Sequence, residues 1–260
     1  MSLERAMALR PHQKINHFPG MEELAHKCKL ALNLNRMRQV LPDDYSFFPE
    51  VFVLPTDYSA FEAQFRTAKA ARTFIIKPSN TACGVGIYLT RRCGNVPRDK
   101  ALVAQRYIHR PLLVDDRKFD LRLYVLVTSF TPLRAYLFKE GLARFATRPY
   151  EKLRNSNLSK RMMHLTNYSV NCKSEDFVEC SDVPGSEAEE HSSKRTVAFV
   201  LKWLDRNGFD SAQVWENVRD VLRKTLIAVE PSVSHKYRVC QPESKDGNNG
   251  FSCFDVLGID

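Results

Sequence analysis

The sequence predicts an α+β fold, in which helices flank a mostly antiparallel sheet. Helical periodicity is confined to the two ends of the chain, whereas the middle consists of short apolar runs separated by turn residues. Within that middle, the segment KFDLRLYVLV at residues 118–127 alternates charged and apolar side chains, which is typical of a strand with two different faces. The chain has 260 residues and is 43% hydrophobic, so it can bury a substantial core.

The chain opens with predicted helices. The first covers residues 22–41, where apolar side chains recur at helical spacing until Pro42 ends the helix. A second helix is predicted over residues 60–72. Both precede the first run with the character of a strand.

Short strands follow, each bounded by turn residues such as those of the GNVP, HRP and KEG segments. The predicted strands cover residues 74–77, 87–90, 101–108, 119–128, 133–138 and 142–147. The closing segment FSCFDVLGID predicts the start of one more strand.

The region between these strands and the closing segment is predicted to begin with a mobile loop. Residues 171–193 are rich in Glu, Asp and Ser, which disfavours a packed core. A helix is predicted over residues 193–206, and another from the capping Asp210 to about Val229, before Pro231.

Composition limits the classes of function. The formal net charge of +9 predicts an anionic partner, which could be nucleic acid, an acidic protein segment or a nucleotide phosphate. No nucleic-acid-binding motif is present, and no apolar run approaches the roughly 20 residues of a membrane-spanning helix. The N-terminus lacks the apolar centre of a secretory signal, and the seven cysteines are scattered without a C-x-x-C pair. We therefore expect free thiols in a cytosolic protein, with no zinc site or disulfide framework.

The segment FIIKPSNTACGVGIYLT predicts a strand, a glycine-containing loop and a second strand. Gly84 and Gly86 let backbone amides approach a ligand closely, as phosphate binding requires. Lys77 ends the first strand, from where its ammonium would reach a phosphate. The motif lacks the GK[ST] ending of a P-loop and the third glycine of a dinucleotide fingerprint. A plain hairpin turn is therefore an equally open interpretation.

The charged strand has two interpretations. Lys118, Asp120, Arg122 and Tyr124 share one face because side chains alternate with a period of two. A solvated face with a cross-strand ion pair is the simpler interpretation. The strand continues into an apolar run, however, which indicates a central position in its sheet. A charged face there indicates a polar cavity, in which a lysine and an arginine suit a polyphosphate.

Further polar residues could complete such a cavity. Arg144 lies on a neighbouring predicted strand, with Arg148 just beyond it. Taken alone, Arg144 has a simpler interpretation as a surface charge, and polar residues after a loop as turn or cap residues. We expect His164 to orient a loop and not to act as a ligand. The polar cluster after the loop comprises His164, Thr166, Asn167, Tyr168 and Ser169.

The motifs, in this order, resemble those of the tubulin tyrosine ligase-like family, an ATP-grasp group. The resemblance rests on LRPHQKINHFPGM, NLNRM, FIIKP with GVGIYLTR, QRYIHRPLLVDDRKFDLRLYVLV, PLRAYLFKEGLARFATRPY, MHLTNYSVN and CFDVLGID. It covers nearly the whole chain and is greatest for the polyglutamylase branch.

The resemblance implies an ATP-grasp-like fold. Residues 1–72 would be a partial N-terminal or linker helical region, and residues 73–109 the central nucleotide-binding lobe. Residues 110–260 would be a C-terminal ATP-grasp lobe that lacks its last strands.

By position, the resemblance also implies roles for individual residues. Lys118, Asp120 and Arg122 would be catalytic, with Arg122 facing the transferring phosphoryl group. ATP would be bound by Lys77, Cys83, Gly84, Gln105, Arg106, Tyr107, Ile108, Lys118, Phe119, Asp120, Thr166 and Asn167. The incoming glutamate would be bound by Arg144, Tyr168, Ser169 and Lys194. Asp260 matches the first of three magnesium ligands.

The implied reaction is ATP-dependent polyglutamylation of tubulin C-terminal tails. An acceptor glutamate carboxylate would be phosphorylated to an acyl phosphate, and the amino group of free L-glutamate would then form an isopeptide bond. Fixed cations and Mg²⁺ are the expected means of stabilising the negative charge. The resemblance implies a cytoplasmic, cytoskeletal location, which could be a cilium or basal body. It also implies a monomer with no nucleic-acid or membrane partner.

The sequence also departs from the family pattern. The family's polyglutamylases typically carry Gln where Cys83 stands and a polar or acidic run where SNTAC stands. The Glu and Asn that complete the family's magnesium site lie beyond Asp260, and the N-terminus begins late. We therefore expect a fragment or short isoform with little or no ligase activity by itself. Two alternatives stay open: a catalytically silent module that binds microtubules or tubulin tails, and a glycine ligase of the same family.

Overall fold

The computed structural model describes residues 7–8, 10, 12–66, 72–180, 187–240 and 252–260. Its helices are α1 (Glu22–Ala25), α2 (Lys27–Val40), α3 (Tyr58–Arg66), α4 (Arg161–His164), α5 (Tyr168–Asn171), α6 (Glu187–His191), α7 (Val197–Arg206) and α8 (Ser211–Cys240). Its strands are β1 (Val51–Leu54), β2 (Phe74–Pro78), β3 (Tyr88–Thr90), β4 (Leu102–Arg106), β5 (Leu113–Val114), β6 (Arg117–Phe130), β7 (Leu133–Phe145), β8 (Lys194–Thr196) and β9 (Asp255–Ile259). The predicted α+β class is confirmed. None of the described helices is both long and apolar enough to cross a bilayer.

Two antiparallel sheets organise the molecule. The first has the strand order β1-β4-β2-β3, and one face of it packs on α3 around Phe61 and Phe74, both fully buried. The second has the order β5-β6-β7-β8, and β9 pairs with β6 beside β5. The strand β6 is therefore central over most of its length, as its apolar continuation predicts.

The second sheet has one buried face and one open face. The apolar residues of β6, such as Leu123 and Val125, pack against the long helix α8 around Val229 and Val233. The charged residues of β6 alternate with them and point to the opposite side. This alternation places the charged face of KFDLR towards the first sheet.

Two predicted boundaries are wrong at the start and middle of the chain. The helix predicted over 22–41 is divided, because His26 is extended and separates α1 from α2. The strands predicted over 133–138 and 142–147 are one strand, β7. Gly141 does not make a turn there. A Cβ at Gly141 would lie 2.5 Å from the carbonyl oxygen of Arg122, so glycine permits the close approach of β6.

Three further boundaries differ near the end of the chain. The helix expected from 193 begins at Val197, because the preceding residues pair with β7 as β8. The last helix continues through Pro231 to Cys240, since the residues around the proline are packed in the core. The loop predicted over 171–193 contains α6, and its residues 181–186 lie outside the described residues.

The remaining predicted elements differ less from those of the structure. The predicted helix over 60–72 is observed as α3, and residues 67–71 lie outside the described residues. The strands β1 and β5 were not predicted from the sequence. The boundaries of the three predicted regions, 1–72, 73–109 and 110–260, stay predictions. The first sheet includes β1, which lies within residues 1–72.

Candidate active site

A cleft of about 440 Å³ lies between the two sheets. Residues from β2 and β4 line one side of it, and residues from β6, the segment after α4 and the end of β9 line the other. The helix α2 supplies a third wall through Lys27 and Leu34. The cleft therefore collects polar residues from segments that are far apart in the sequence.

Lysines meet in this cleft. Lys77 and Lys118 both line it, together with Lys27 at the start of α2. The pKa of Lys77 is lowered from 10.5 to about 8, mainly by burial and then by repulsion from Lys27. Burial, followed by repulsion from Lys77, lowers the pKa of Lys118 to about 8 as well. Burial removes water from these ammonium groups, and an anionic ligand would replace the lost solvation of their positive charge.

The ammonium groups are held by polar partners. Lys77 Nζ donates a hydrogen bond to Gln105 Oε1 at 2.7 Å, across neighbouring strands. Lys118 Nζ donates to the carbonyl oxygen of His164 at 2.8 Å. Lys27 donates to the carbonyl oxygen of Thr81, so α2 is tied to the glycine-containing loop.

Two of the predicted ATP-binding residues, Gln105 and Arg106, point to opposite faces of β4. Gln105 faces the cleft, whereas the Arg106 guanidinium lies 5.7 Å from the centroid of Phe74, on the face that packs on α3. Tyr107 is buried, and Ile108 is exposed beyond the strand end. Arg106 nevertheless lines an adjoining cavity of about 460 Å³, which shares Lys77, Gln105 and Lys118 with the cleft, so its role as an ATP ligand stays a prediction. Phe119 stacks on Phe145, with ring centroids 5.5 Å apart.

A network of two arginines and two carboxylates lies on the charged face of the second sheet. Arg144 donates from Nε to Asp120 at 2.8 Å and from Nη2 at 2.5 Å. The same Nη2 lies 2.9 Å from Oδ2 of Asp260. Arg122 donates to both oxygens of Asp260. Asp120 and Arg122, two of the predicted catalytic residues, are thus linked through Arg144 and the predicted metal ligand Asp260. Thr166 joins them through a hydrogen bond to Asp120 at 2.7 Å.

The network changes the protonation of its members. Burial alone would raise the pKa of the Asp260 carboxyl, but hydrogen bonds from Arg122 and Arg144 outweigh it and lower that pKa. Burial would lower the pKa of Arg144, yet its bonds to Asp120 and Asp260 raise it. These shifts in pKa favour the charged forms of Asp260 and Arg144 at neutral pH.

The glycine-containing loop is fastened to the helices α4 and α5. Gly84 accepts a hydrogen bond from Arg161 Nη2 at 2.7 Å, and the carbonyl oxygen of Cys83 accepts one from Ser169 Oγ at 2.5 Å. Cys83 and Gly84 both have positive φ, 58° and 74°. The Ser169 hydroxyl holds the loop in this structure, and its predicted contact with glutamate stays a prediction. Asn167 lines the cleft beside Gly84.

We expect Gly84→Ala to weaken nucleotide binding. A Cβ at this position would lie 3.0 Å from both Asn167 Oδ1 and Val170 Cγ2, at a φ that disfavours side chains. The loop would shift and the free energy of unfolding would fall by about 1 kcal/mol. Thermal unfolding and titration with ATP measure the two effects. Gly94→Ala is the matched control, because a Cβ at Gly94 would have no atom within 4 Å and the φ of Gly94 is not positive. Equal ATP affinity in both variants would contradict the role of the loop.

The other predicted glutamate-binding residues lie beside the network. Lys194 Nζ lies 4.1 Å from the ring centroid of Tyr168, which is half-exposed, and 3.8 Å from Glu179. Arg144 already pairs with two carboxylates. Lys194 is therefore the more available of these two cations for an additional carboxylate.

The fit of a magnesium ion is incomplete. Asp260 already accepts hydrogen bonds from two arginines, and the described residues contain no group of three His, Cys, Asp or Glu side chains arranged to hold a metal. Mg²⁺ prefers near-octahedral oxygen ligation from carboxylates and phosphates. The described residues do not form a magnesium site by themselves, and the role of Asp260 stays a prediction.

Sequence reasoning missed two residues of the site. Lys27 lies in a predicted helix with no local signal for a phosphate ligand, and Arg161 lies outside the polar cluster after the loop. Only the tertiary contacts of Lys27 with the loop and of Arg161 with Gly84 reveal them.

Comparison with known proteins identifies relatives. The model of the tubulin-tyrosine ligase family matches residues 4–260. The tubulin polyglutamylase TTLL13 of Homo sapiens is 42% identical over 260 residues, which are 100% of this chain and 31% of that protein. The tubulin polyglutamylase ttll6 of Danio rerio is 41% identical, over 100% of this chain and 32% of that protein. A probable beta-tubulin polyglutamylase of Tetrahymena thermophila is 41% identical, over 99% of this chain and 21% of that protein. The chain thus spans about a third or less of the length of these relatives.

Proposed function

Because the chain belongs to the tubulin-tyrosine ligase family, we propose that it forms the nucleotide-binding region of an ATP-dependent tubulin polyglutamylase. The convergence of Lys77 and Lys118 on one cleft, beside Arg122 and its carboxylate partner, is the observation that carries this proposal. The relatives named as tubulin polyglutamylases support the choice of substrate.

In this proposal, Lys77, Lys118 and Lys27 bind the phosphate oxygens of ATP. Each lysine lies in the cleft, and the low pKa of Lys77 and of Lys118 reflects burial and mutual repulsion that a polyanion would relieve. When bound, ATP supplies the phosphoryl group that activates the acceptor carboxylate. Gln105 keeps the Lys77 ammonium turned into the cleft.

Arg122 stabilises negative charge as it develops beyond the phosphates. It lies beside the cleft, where the two oxygens of Asp260 accept from its guanidinium and fix its plane, and Arg144 holds Asp260 in turn. A preorganised cation needs little rearrangement during the reaction, which is the basis of its catalytic effect. Asp120 fixes Arg144 in turn, so both carboxylates of the network, Asp120 and Asp260, contact arginines in this structure.

Glutamate is the proposed amino-acid substrate. Its side-chain carboxylate distinguishes it from glycine, and Lys194 offers a cation that lies over two aromatic rings and 3.8 Å from an exposed carboxylate. The acceptor is proposed to be the acidic tail of tubulin, which the net charge of +9 would attract. The same proposal includes a cytoskeletal location, which extends to the cilium, and a monomeric state.

A test of the proposal measures nucleotide binding and amino-acid transfer together. We expect the 260-residue chain to bind ATP, and any transfer of labelled amino acid to tubulin to require ATP and to favour glutamate over glycine. Arg122→Ala should bind ATP but reduce any transfer by about 100-fold, the usual cost of losing one charge-stabilising group.

The alternatives give different results. Transfer of glycine in preference to glutamate would indicate a glycine ligase. Binding of tubulin by a folded chain that does not bind ATP would contradict the ligase proposal and favour a silent tail-binding module.

A further inference from the structure

We propose that His164 is a positioning residue, whose imidazole fixes Lys118 for contact with the nucleotide phosphates. The inference rests on the proposed function, because it assigns Lys118 to a nucleotide. It goes beyond the expectation that His164 merely orients a loop.

The imidazole is locked on both sides. His164 is 1% exposed, with Nε2 at 2.9 Å from the carbonyl oxygen of Asn157 and Nδ1 at 2.9 Å from the hydroxyl of Tyr107. A carbonyl oxygen can only accept, so Nε2 carries the proton and donates it to Asn157. The Nδ1 atom is then an acceptor, and the Tyr107 hydroxyl donates to it.

Both His164 and Tyr107 contact the ammonium of Lys118. The carbonyl oxygen of His164 accepts from Nζ at 2.8 Å, and Nζ lies 3.4 Å from the Tyr107 hydroxyl oxygen and 4.7 Å from the centroid of its ring. The imidazole therefore orients the carbonyl of its own residue and the ring of Tyr107 at once. Losing it would release the ammonium from two of its contacts.

The arrangement suits a lysine that must be held ready. A lysine side chain is long and flexible, and an ammonium that is already fixed loses less entropy on binding a phosphate. Burial lowers the pKa of His164, and Lys118 adds to this effect, so the imidazole stays neutral at neutral pH. Neutrality keeps Nδ1 available as an acceptor for Tyr107.

Matched variants separate positioning from packing. His164→Met keeps much of the volume but has no strong donor, whereas His164→Gln keeps one donor and one acceptor. Tyr107→Phe keeps the ring and removes only the hydroxyl. His235→Gln, at an exposed position of α8, is the control.

The measurements are the dissociation constants of the full chain for ATP and for adenosine, together with thermal unfolding. Adenosine has no phosphate, so a misplaced Lys118 should not affect it. We expect His164→Met and Tyr107→Phe to bind ATP about tenfold more weakly and adenosine as tightly as the unaltered chain. His164→Gln should recover most of the ATP affinity.

Each outcome either supports or overturns the inference about His164. Equal loss of ATP and adenosine affinity would show a structural role only and overturn the inference. Unchanged ATP affinity in folded Tyr107→Phe would overturn it as well, including where His164→Met does not fold. In both cases ATP binding by the unaltered chain leaves the proposed function standing. An unaltered chain that binds no ATP would overturn the proposed function and this inference together.

Discussion

Replacing Arg144 by Ala is expected to lower the free energy of unfolding by about 3 kcal/mol and to reduce any ligase activity by at least about 100-fold. Arg144 is nearly buried, with 11% of its side chain exposed. Its Nη2 contacts both Asp120 and Asp260, and its Nε donates a further hydrogen bond to Asp120. Without Arg144, the negative charges of Asp120 and Asp260 would be less fully neutralised. The stability loss lies at the low end of the range for buried pairs, because both carboxylates keep some contact with water.

The effect should depend on pH in a defined direction. Hydrogen bonds from Arg122 and Arg144, acting against burial, lower the pKa of Asp260 in the folded state. The unfolded chain therefore binds this proton more readily, and the stability that the pair contributes is lost as pH falls through the folded pKa. In Arg144→Ala that pKa should rise, so the loss begins at a higher pH.

Thermal unfolding from mildly acidic to neutral pH and an assay of glutamate transfer measure both consequences. Lys139→Ala is the control, since Lys139 is an exposed cation on the same strand. A similar change in stability for the two variants would show that Arg144 acts only through net charge. That result would contradict the network as the organising element of the site.

The sequence predicts this network in part, and both interpretations of the charged strand contribute to it. Asp120 and Arg144 are register partners on β6 and β7, which is the cross-strand ion pair of the simpler interpretation. Asp120 of this pair also lines the cleft, as the cavity interpretation requires. Alternation with a period of two reveals which residues share a face, but it does not reveal what lies opposite that face.

Contacts between distant segments are the part that the sequence does not reveal. The apolar segment VFVL of β1 has only four residues, so its pattern does not distinguish a strand from a short helical or loop segment. Lys27 reaches the site because α2 packs beside β1 and β4, and Lys27 has no local motif. Gly141 resembles a turn residue within KEG, yet it is needed where β6 passes close to β7.

Lys77→Met is expected to stabilise the ligand-free chain and to abolish detectable ATP binding. Burial and repulsion by Lys27 lower the pKa of Lys77 from 10.5 to about 8, so the folded state at neutral pH holds an ammonium that it disfavours. A shift of this size corresponds to about 3 kcal/mol. Methionine has a similar length and no charge. It also loses the hydrogen bond to Gln105, worth about 1 kcal/mol, so a net gain of about 1–2 kcal/mol is expected.

The same pKa predicts how the stability of the unaltered chain varies with pH. Between about pH 8 and pH 10.5 the unfolded chain binds the proton of Lys77 more strongly than the folded chain does, so this group makes the folded state more stable as pH rises. Lys118, whose pKa is also about 8, acts in the same direction. In Lys77→Met the rise should be smaller, because one of the two groups is absent.

Calorimetric unfolding without ligand and ATP titration test this prediction. A gain of about 1 kcal/mol should raise the melting temperature by roughly 2–4 °C for a chain of this size, with no such gain in Lys100→Met, which alters an exposed lysine. ATP should raise the melting temperature of the unaltered chain and of Lys100→Met, but not that of Lys77→Met. A Lys77→Met variant that is less stable and still stabilised by ATP would show that the ammonium serves the fold. A site that is destabilising when empty and necessary when filled is instead the behaviour expected of a residue retained for its ligand.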